Sequence, residues 1–294
     1  CDAHPGYTPS RWAHQNGLPL TNVYHHHAHA SAVYAEALHR KHDLADMLVF
    51  TWDGVGLGPD EALWGGDALL GTPGYWQRVA HFRQFSLPGG ERAGREPWRS
   101  AAGLCWEAGL ECPLEEASDP LLYSFWQQGK NAPRTTAAGR LFDAASALCE
   151  VCSTASFEGQ GPMQLEALAA GYDAATGAEV TRLELKKTDG IYNADWTTLL
   201  SWLLDTSHTK AERAAGFHAS MAQSLLEQAQ RIRQDTGVEM IGLGGGVFQN
   251  RVLTERSIEL LNDDGFTVFW PQLMPVNDAA ISFGQIVEYA HRRR

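Results

Sequence analysis

A mixed α/β fold, with one sheet covered on both faces, is what this sequence predicts, and two observations carry the prediction. The run Met47 to Trp52 (MLVFTW) is β-branched and aromatic, and two more strand-like segments follow it, the pattern of an antiparallel meander. Further on, short apolar strands alternate with amphipathic helical stretches, which requires helices on the faces of the sheet. With 294 residues, 44% hydrophobic and 20% charged, the chain has the composition of a folded domain. That length corresponds to about two domains at roughly 150 residues each.

The elements follow in order. Asn22 to Lys41 (NVYHHHAHASAVYAEALHRK) lacks Gly and Pro, is rich in helix formers, and reads as a helix entered from a short strand. The strand from Met47 stops at Asp53-Gly54-Val55-Gly56, which reads as a tight turn. Ala62 to Leu70 and Gln77 to Leu87 complete the meander. Segment 88–135, containing PGGER, REPWRS and ECPLEEASDP, reads as a loop-rich insertion with helical pieces. Gly139 to Cys152 and Pro162 to Ala170 read as helices on either side of a loop, and Gly190 to Leu204 as a strand and then a helix. Phe217 to Thr236 is a long amphipathic helix with Met221, Leu225 and Ala229 on one face. Met240 to Leu243 is a strand running into Gly244-Gly245-Gly246. A helix (Asn250 to Asn262), a strand (Phe266 to Trp270) and a closing helix (Asp278 to Arg292) complete the chain.

Thirty-five acidic against 23 basic side chains give a net charge of -12, which argues against a broad nucleic-acid or anionic-membrane surface. The short His291-Arg292-Arg293-Arg294 reads as a solvated tail. Five cysteines, Cys1, Cys105, Cys112, Cys149 and Cys152, form no framework, so a reducing compartment, the cytoplasm, is expected. No apolar run approaches the roughly 18 residues of a membrane helix. The opening Cys-Asp-Ala-His-Pro has no leader features, so no secretory signal is expected.

Chemistry concentrates in a few places. Within His25-His26-His27-Ala28-His29, His25 and His29 are four apart on a helix and can offer two imidazoles to one metal, while His26 and His27 point elsewhere. Asp53 at a strand end and Asp278 at a helix start are natural completions for iron or zinc. The alternative is a polar helix face, and spacing alone does not choose. The Asp53–Gly56 turn can cradle phosphate with its amides, or be a plain hairpin. Gly244-Gly245-Gly246 ahead of Val247-Phe248-Gln249-Asn250 places a glycine loop between strand and helix start, where backbone and dipole meet a phosphate or adenosine; a simple tight turn is the other reading. Its spacing fits neither a Walker loop nor GxGxxG. Arg140 and Asp143, three apart, read equally as a surface ion pair or a site. Cys149-Glu-Val-Cys152 reads as buried thiols in preference to a zinc or redox half-site. No Gly-x-Ser-x-Gly elbow suggests a nucleophilic triad.

In order, CDAHPGY, HHHAHASAV, DGVGLG with ALWGGDALL, LPGGERAGREPWR, GRLFDA, FEGQ, GGGVFQN and NDAAISFGQ resemble the C-terminal, Kae1-like region of the HypF family of hydrogenase-maturation carbamoyltransferases. The resemblance implies an actin/sugar-kinase/Hsp70-like fold whose two ribonuclease H-like halves close over a nucleotide, the first half being incomplete here. Residues 1–45 would end the first half, 46–275 would form the second with the insertion at 88–135, and 276–294 would return to the first. Family members are longer, with acylphosphatase-like, zinc-finger and YrdC-like segments outside this chain.

The function so implied is ATP-dependent use of carbamoyl phosphate. A YrdC-like domain makes carbamoyl adenylate, and the Kae1-like part passes the carbamoyl group to the C-terminal cysteine of HypE, the precursor of the cyanide ligands of [NiFe]-hydrogenase. The family's metal ligands fall on His25, His29 and Asp278, with Asp53 as a fourth, and these residues would act in catalysis through one divalent ion, iron or zinc. Contacts to ATP or carbamoyl adenylate fall on Asp53, Gly54, Gly56, Asp143, Gly159, Gly244, Gly245 and Asn250. Neither a nucleic acid nor a membrane is an expected partner. The same fold also serves tRNA threonylcarbamoyl transfer and antibiotic O-carbamoylation, but the HHHAH, FEGQ, REPWR and GRLFDA wording is nearer HypF. A non-catalytic nucleotide- or HypE-binding module is the reading from another class.

Overall fold

The computed structural model describes residues 1–41, 44–172 and 177–292, so Arg293 and Arg294 of the basic tail lie outside the described residues. The chain opens with α1 (Thr8–Gln15) and α2 (His25–Arg40), followed by the strands β1 (Met47–Leu57), β2 (Leu63–Gly71), β3 (Gln77–Phe82) and β4 (Phe85–Ser86). Next come α3 (Pro97–Glu107), α4 (Pro120–Gln127), β5 (Arg134–Thr135), α5 (Ala138–Leu148) and α6 (Gln160–Ala170). Then follow β6 (Glu184–Thr188), β7 (Ile191–Asp195), α7 (Thr197–Leu204), α8 (Lys210–Thr236), β8 (Met240–Gly244), α9 (Arg251–Asp263), β9 (Thr267–Phe269) and α10 (Ile281–Arg292).

Among the described residues nine strands form one sheet, ordered β6-β7-β3-β2-β1-β8-β9, with β5 beside β2 and β4 beside β5. β1, β2 and β3 are the antiparallel meander, whereas β8 runs parallel to β1 and β9 parallel to β8. The predicted mixed sheet is therefore present. In β1 the period of two divides the side chains between two cores: Leu48, Phe50 and Trp52 enter the larger, Met47 and Val49 the smaller. Both faces are dry, which is why the run is continuously apolar. Each such buried side chain contributes roughly 1.5–3 kcal/mol of transfer free energy.

The larger core is closed by α5 and α8, where Phe142 meets Phe217 edge to face with centroids 4.8 Å apart, and by Phe248, stacked on Trp52 at 5.5 Å. The smaller is closed by α2, through Ala30, Val33, Tyr34 and Ala37. In the segment 88–135, α3 packs into the larger core, whereas α4 buries none of its residues. Helix α8 begins at Lys210, earlier than its apolar stripe suggests, because Thr209 and Glu212 form a reciprocal capping box.

One expected turn is not there. β1 runs on through Asp53 to Leu57, and its pairing passes from Trp52↔Gly66 to Gly56↔Trp64, so extra β1 residues stand opposite β2. The segment Asp53–Gly56 is a bulge, not a hairpin. The reversal comes later, where Gly58 N–H donates to Ala62 O and Glu61 takes a φ of 62°.

Helix α10 crosses α2 closely enough that a Cβ on Gly284 would lie 1.9 Å from Ala28 O. Glu288, also on α10, is fully buried and accepts from Ser31 Oγ at 2.6 Å and from Gly74 N at 2.8 Å, tying α10 to α2 and to the β2–β3 connection. Gly284→Ala is expected to push these helices apart and to cost about 1–3 kcal/mol or more of overpacking strain. Urea unfolding of the variant measures it, and an unchanged midpoint would refute the close crossing.

Candidate metal centre

The site lies where the parallel strands β1 and β8 reach their carboxyl ends, the edge at which open α/β sheets place ligands. Thr51 of β1 pairs with Gly244 of β8, so the next residues of each strand, Asp53 and the Gly245-Gly246 turn, emerge side by side. Gly245 must be glycine, because its φ is 101° and a Cβ there would stand 2.3 Å from Trp52 O. The bulge swings Asp53 out of the ladder. Its Oδ1 accepts from Gly54 N at 2.8 Å and from Gly246 N at 3.2 Å, leaving Oδ2 turned toward α2.

Helix α2 presents His25 at its first position and His29 one turn later. Their Nε2 atoms lie 3.2 and 2.9 Å from Asp53 Oδ2. Asp278 arrives from the far end of the sequence in a 3₁₀ turn whose start is capped by Asn277, and Gly245 N donates to Val276 O at 2.9 Å just before it. Asp278 Oδ1 stands 3.4 Å from both Nε2 atoms. The four donor atoms lie within 4.8 Å of one another. A tetrahedral site with bonds of about 2.0–2.1 Å has ligand edges of roughly 3.3–3.4 Å, and the four imidazole–carboxylate separations of 2.9–3.4 Å lie near that length, with donor types that suit zinc or iron. Behind His25, Nδ1–H donates to Asp2 Oδ2 at 2.9 Å, the outer carboxylate that fixes a ligating histidine's tautomer, and the Tyr7 ring stacks on His25 at 6.0 Å.

His25 and His29 are buried, the Asp53 side chain is 14% exposed and the Asp278 side chain 59%, so the cluster opens toward solvent on the Asp278 side. Burial pushes His25 toward the neutral form, but hydrogen bonds to Asp2, Asp278 and Asp53 outweigh it and hold its pKa well above the usual range. His29 is raised in the same way against its burial, by Asp278 and Asp53. Burial would raise the two carboxyls, yet the imidazoles draw Asp53 well below its ordinary value and Asp278 down to about 2. A polar helix face, the alternative for these histidines, does not describe side chains that are almost wholly enclosed.

The other residues singled out from the sequence spread away from this cluster. Gly56 lies under His25 and His26, where a Cβ would come within 2.7 Å of the His26 ring and 3.0 Å of the His25 ring. Asn250 caps α9 through Leu253 N and donates Nδ2–H to His218 Nε2 at 2.9 Å. Burial pushes His218 down to about 4, so its neutral ring donates from Nδ1 to Ala214 O and accepts at Nε2. Gly159 opens α6 in the left-handed region at φ 84°. Arg140 and Asp143 are not a surface pair: they lie 3.1 Å apart and are 5% and 2% exposed, because α5 is covered on all sides. Cys149 and Cys152 are buried free thiols, as expected. Asp2 and Tyr7 went unassigned in the sequence, since only the parallel bridge between Asp2 and Val23 brings them to His25.

Residues 49–285 match the family described as "Carbamoyltransferase, Kae1-like Domain, second subdomain", and residues 1–36 match "HypF Kae1-like domain". The chain is 32% identical to "Carbamoyltransferase HypF" of Synechocystis sp., aligned over 100% of the chain and 40% of that protein. It is 32% identical to "Carbamoyltransferase HypF homolog" of Cupriavidus necator, over 97% of the chain and 75% of that protein. A crystal structure of full-length HypF in the phosphate- and nucleotide-bound form superposes with a TM-score of 0.87 at 31% identity, over 99% of this chain and 38% of that one. The chain thus spans about two fifths of the length of the first of these relatives.

Asp143 gives this region a pH signature. Burial raises its carboxyl to about 7 against an unfolded value of about 3.9, so it contributes no penalty below about pH 4, and stability falls as pH rises toward 7. Asp143→Asn is expected to remove that dependence, gaining on the native chain between pH 5 and 7 at up to about 1.4 kcal/mol per pH unit. Urea unfolding at several pH values checks this, and parallel profiles would contradict it.

Proposed function

The chain belongs to the HypF carbamoyltransferase family through its Kae1-like domain, and from that premise we propose that it carries the carbamoyl-transfer site of hydrogenase maturation. The observation that supports this best is the four-donor cluster of His25, His29, Asp53 and Asp278 beside the Gly245-Gly246 backbone. The nucleotide described for the full-length relative agrees with it. In this reading the cleft receives carbamoyl adenylate made from ATP and carbamoyl phosphate by a YrdC-like domain. The thiol of the HypE C-terminal cysteine gives up its proton and attacks the carbamoyl carbon, the C–O bond to the phosphate breaks and AMP leaves, in the cytoplasm, without nucleic acid or membrane.

Each residue has a stated task. Asp2 orients His25, and the two amides on Asp53 Oδ1 leave Oδ2 free to bind, so the ligand set is organised before a cation arrives. A divalent iron or zinc ion held there would supply Lewis acidity to the mixed anhydride. Phosphate contacts are assigned to the backbone at Gly54, Gly56, Gly244 and Gly245, of which Gly56 packs under His25 and His26, Gly244 against Val33 and Gly245 against the Trp52 carbonyl. Asp143, Gly159 and Asn250, set at α5 and at the starts of α6 and α9, would border the nucleotide. Burial of His25 and His29 keeps water from a labile acyl phosphate, and Asp278 marks the side from which the thiol enters. The attacking nucleophile is the incoming cysteine, so no residue of this chain need form a covalent intermediate. Residues 1–45, 46–275 and 276–294 are assigned to the end of one subdomain, to the second, and to the returning helix.

Elemental analysis of the purified chain tests the reading. About one equivalent of iron or zinc is expected, falling at least tenfold in the His25→Ala, His29→Ala double variant, with circular dichroism retained and transfer to a HypE C-terminal peptide abolished. Metal content unchanged in a folded double variant would overturn the ligand assignment.

A further inference from the structure

Next to the metal cluster, a cation on α5 has no task in the account above. The guanidinium of Arg140 is almost wholly buried, and its Nε has no hydrogen-bond partner among the described residues. Nη1 stands 3.1 Å from Asp143 Oδ2, and Nη2 stands 3.3 Å from Glu158 Oε1. A carboxylate matched to an arginine makes two parallel hydrogen bonds, but each of these reaches one nitrogen only. The Glu158 side chain is 70% exposed and comes from the loop before α6, so it is held by little besides this contact.

Two glycines lie against the group. A Cβ on Gly54 would lie 3.4 Å from Arg140 Nη2 and 3.4 Å from Glu158 Oε1, and one on Gly94 would lie 3.3 Å from Nη1. Gly54 directly follows Asp53, so the guanidinium abuts the metal cluster through a single residue of the bulge. A permanent cation stripped of water needs an anion. Here the one that meets it from the solvent side is an exposed surface carboxylate making a single-point contact.

We propose that Arg140 is the receptor for the phosphoryl oxyanion of the nucleotide, and that Glu158 is a resident counter-anion which the incoming phosphate displaces. The identity of the nucleotide rests on the function proposed above; the anion site itself rests on Arg140, Glu158 and the two glycines. Displacement makes Glu158 a competitor: it neutralises Arg140 while the cleft is empty and lowers the affinity for any anion that cannot offer two oxygens to the fork.

Calorimetric titration of the chain with inorganic phosphate and with AMP tests the assignment. Glu158→Gln, at an exposed position, is expected to tighten both by about three- to tenfold, and Arg140→Gln to weaken both by at least about tenfold, with circular dichroism unchanged. If Arg140→Gln does not fold, the Glu158→Gln result decides. AMP binding that neither substitution alters would overturn this inference and leave the nucleotide reading standing. Phosphate binding with the expected responses but no added affinity for AMP would support the inference and overturn the nucleotide reading. Absence of both ligands' binding in the native chain and in Glu158→Gln would overturn both.

Discussion

Two carboxylates and two imidazoles brought within a few ångströms of one another below the surface cannot remain without positive charge among them. This constraint organises everything near the site. Without a cation the imidazoles must hold protons, which is why both histidines are driven above their ordinary pKa against their own burial. A divalent ion bound there would answer the same need more compactly, its two positive charges taking the place of the protons. The surrounding structure keeps those donors in place under either condition: Asp2 behind His25, two amides behind Asp53, and the capped turn beneath Asp278.

The sheet supplies the convergence. A regular strand would point Asp53 along the pleat, into one core or the other. The bulge releases it from that alternation, and the adjacent β8 brings a glycine turn near enough for its amide to reach the carboxylate. One oxygen is thereby spent on backbone and the other kept for the site. The same few residues of β1 also bring Gly54 against Arg140, so the metal cluster and the buried cation of α5 are two sides of one irregularity in a single strand.

Much of this was legible before the structure, but unevenly. The pairing of His25 with His29 follows from helical spacing, and Asp53 at a strand end from the apolar run before it. Asp278 enters as a completion from its place at a helix start and again through the family resemblance; no local pattern reports a contact between residues so distant in sequence. The strands of the meander were readable from composition, whereas β6, with charged Glu184, Lys186 and Lys187 around the single apolar Leu185, carries little apolar signal at this sheet edge. The turn expected at Asp53 failed for a physical reason: glycine flanking a strand permits a bulge as readily as a reversal, and only pairing with β2 decides. Arg140 and Asp143 were spaced like a surface pair. Their burial comes from α3, α8 and the sheet closing over α5, which helical periodicity in α5 alone does not reveal.

Ser31 and Glu288, whose hydrogen bond fastens α10 to α2, are 257 positions apart. Asp278 lies in the same late part of the sequence, while His25 and Asp53 lie early. During synthesis the ribosome therefore releases the histidines and the bulge long before Asp278. Ligands so separated meet only after the whole sheet has closed its largest loop, an entropic cost borne before any metal contact can repay it. On the proposed ligand set, complete coordination of a cation would in this sense be a test of finished folding: an emerging polypeptide holding only His25, His29 and Asp53 would present a half-built, weaker site until Asp278 arrived.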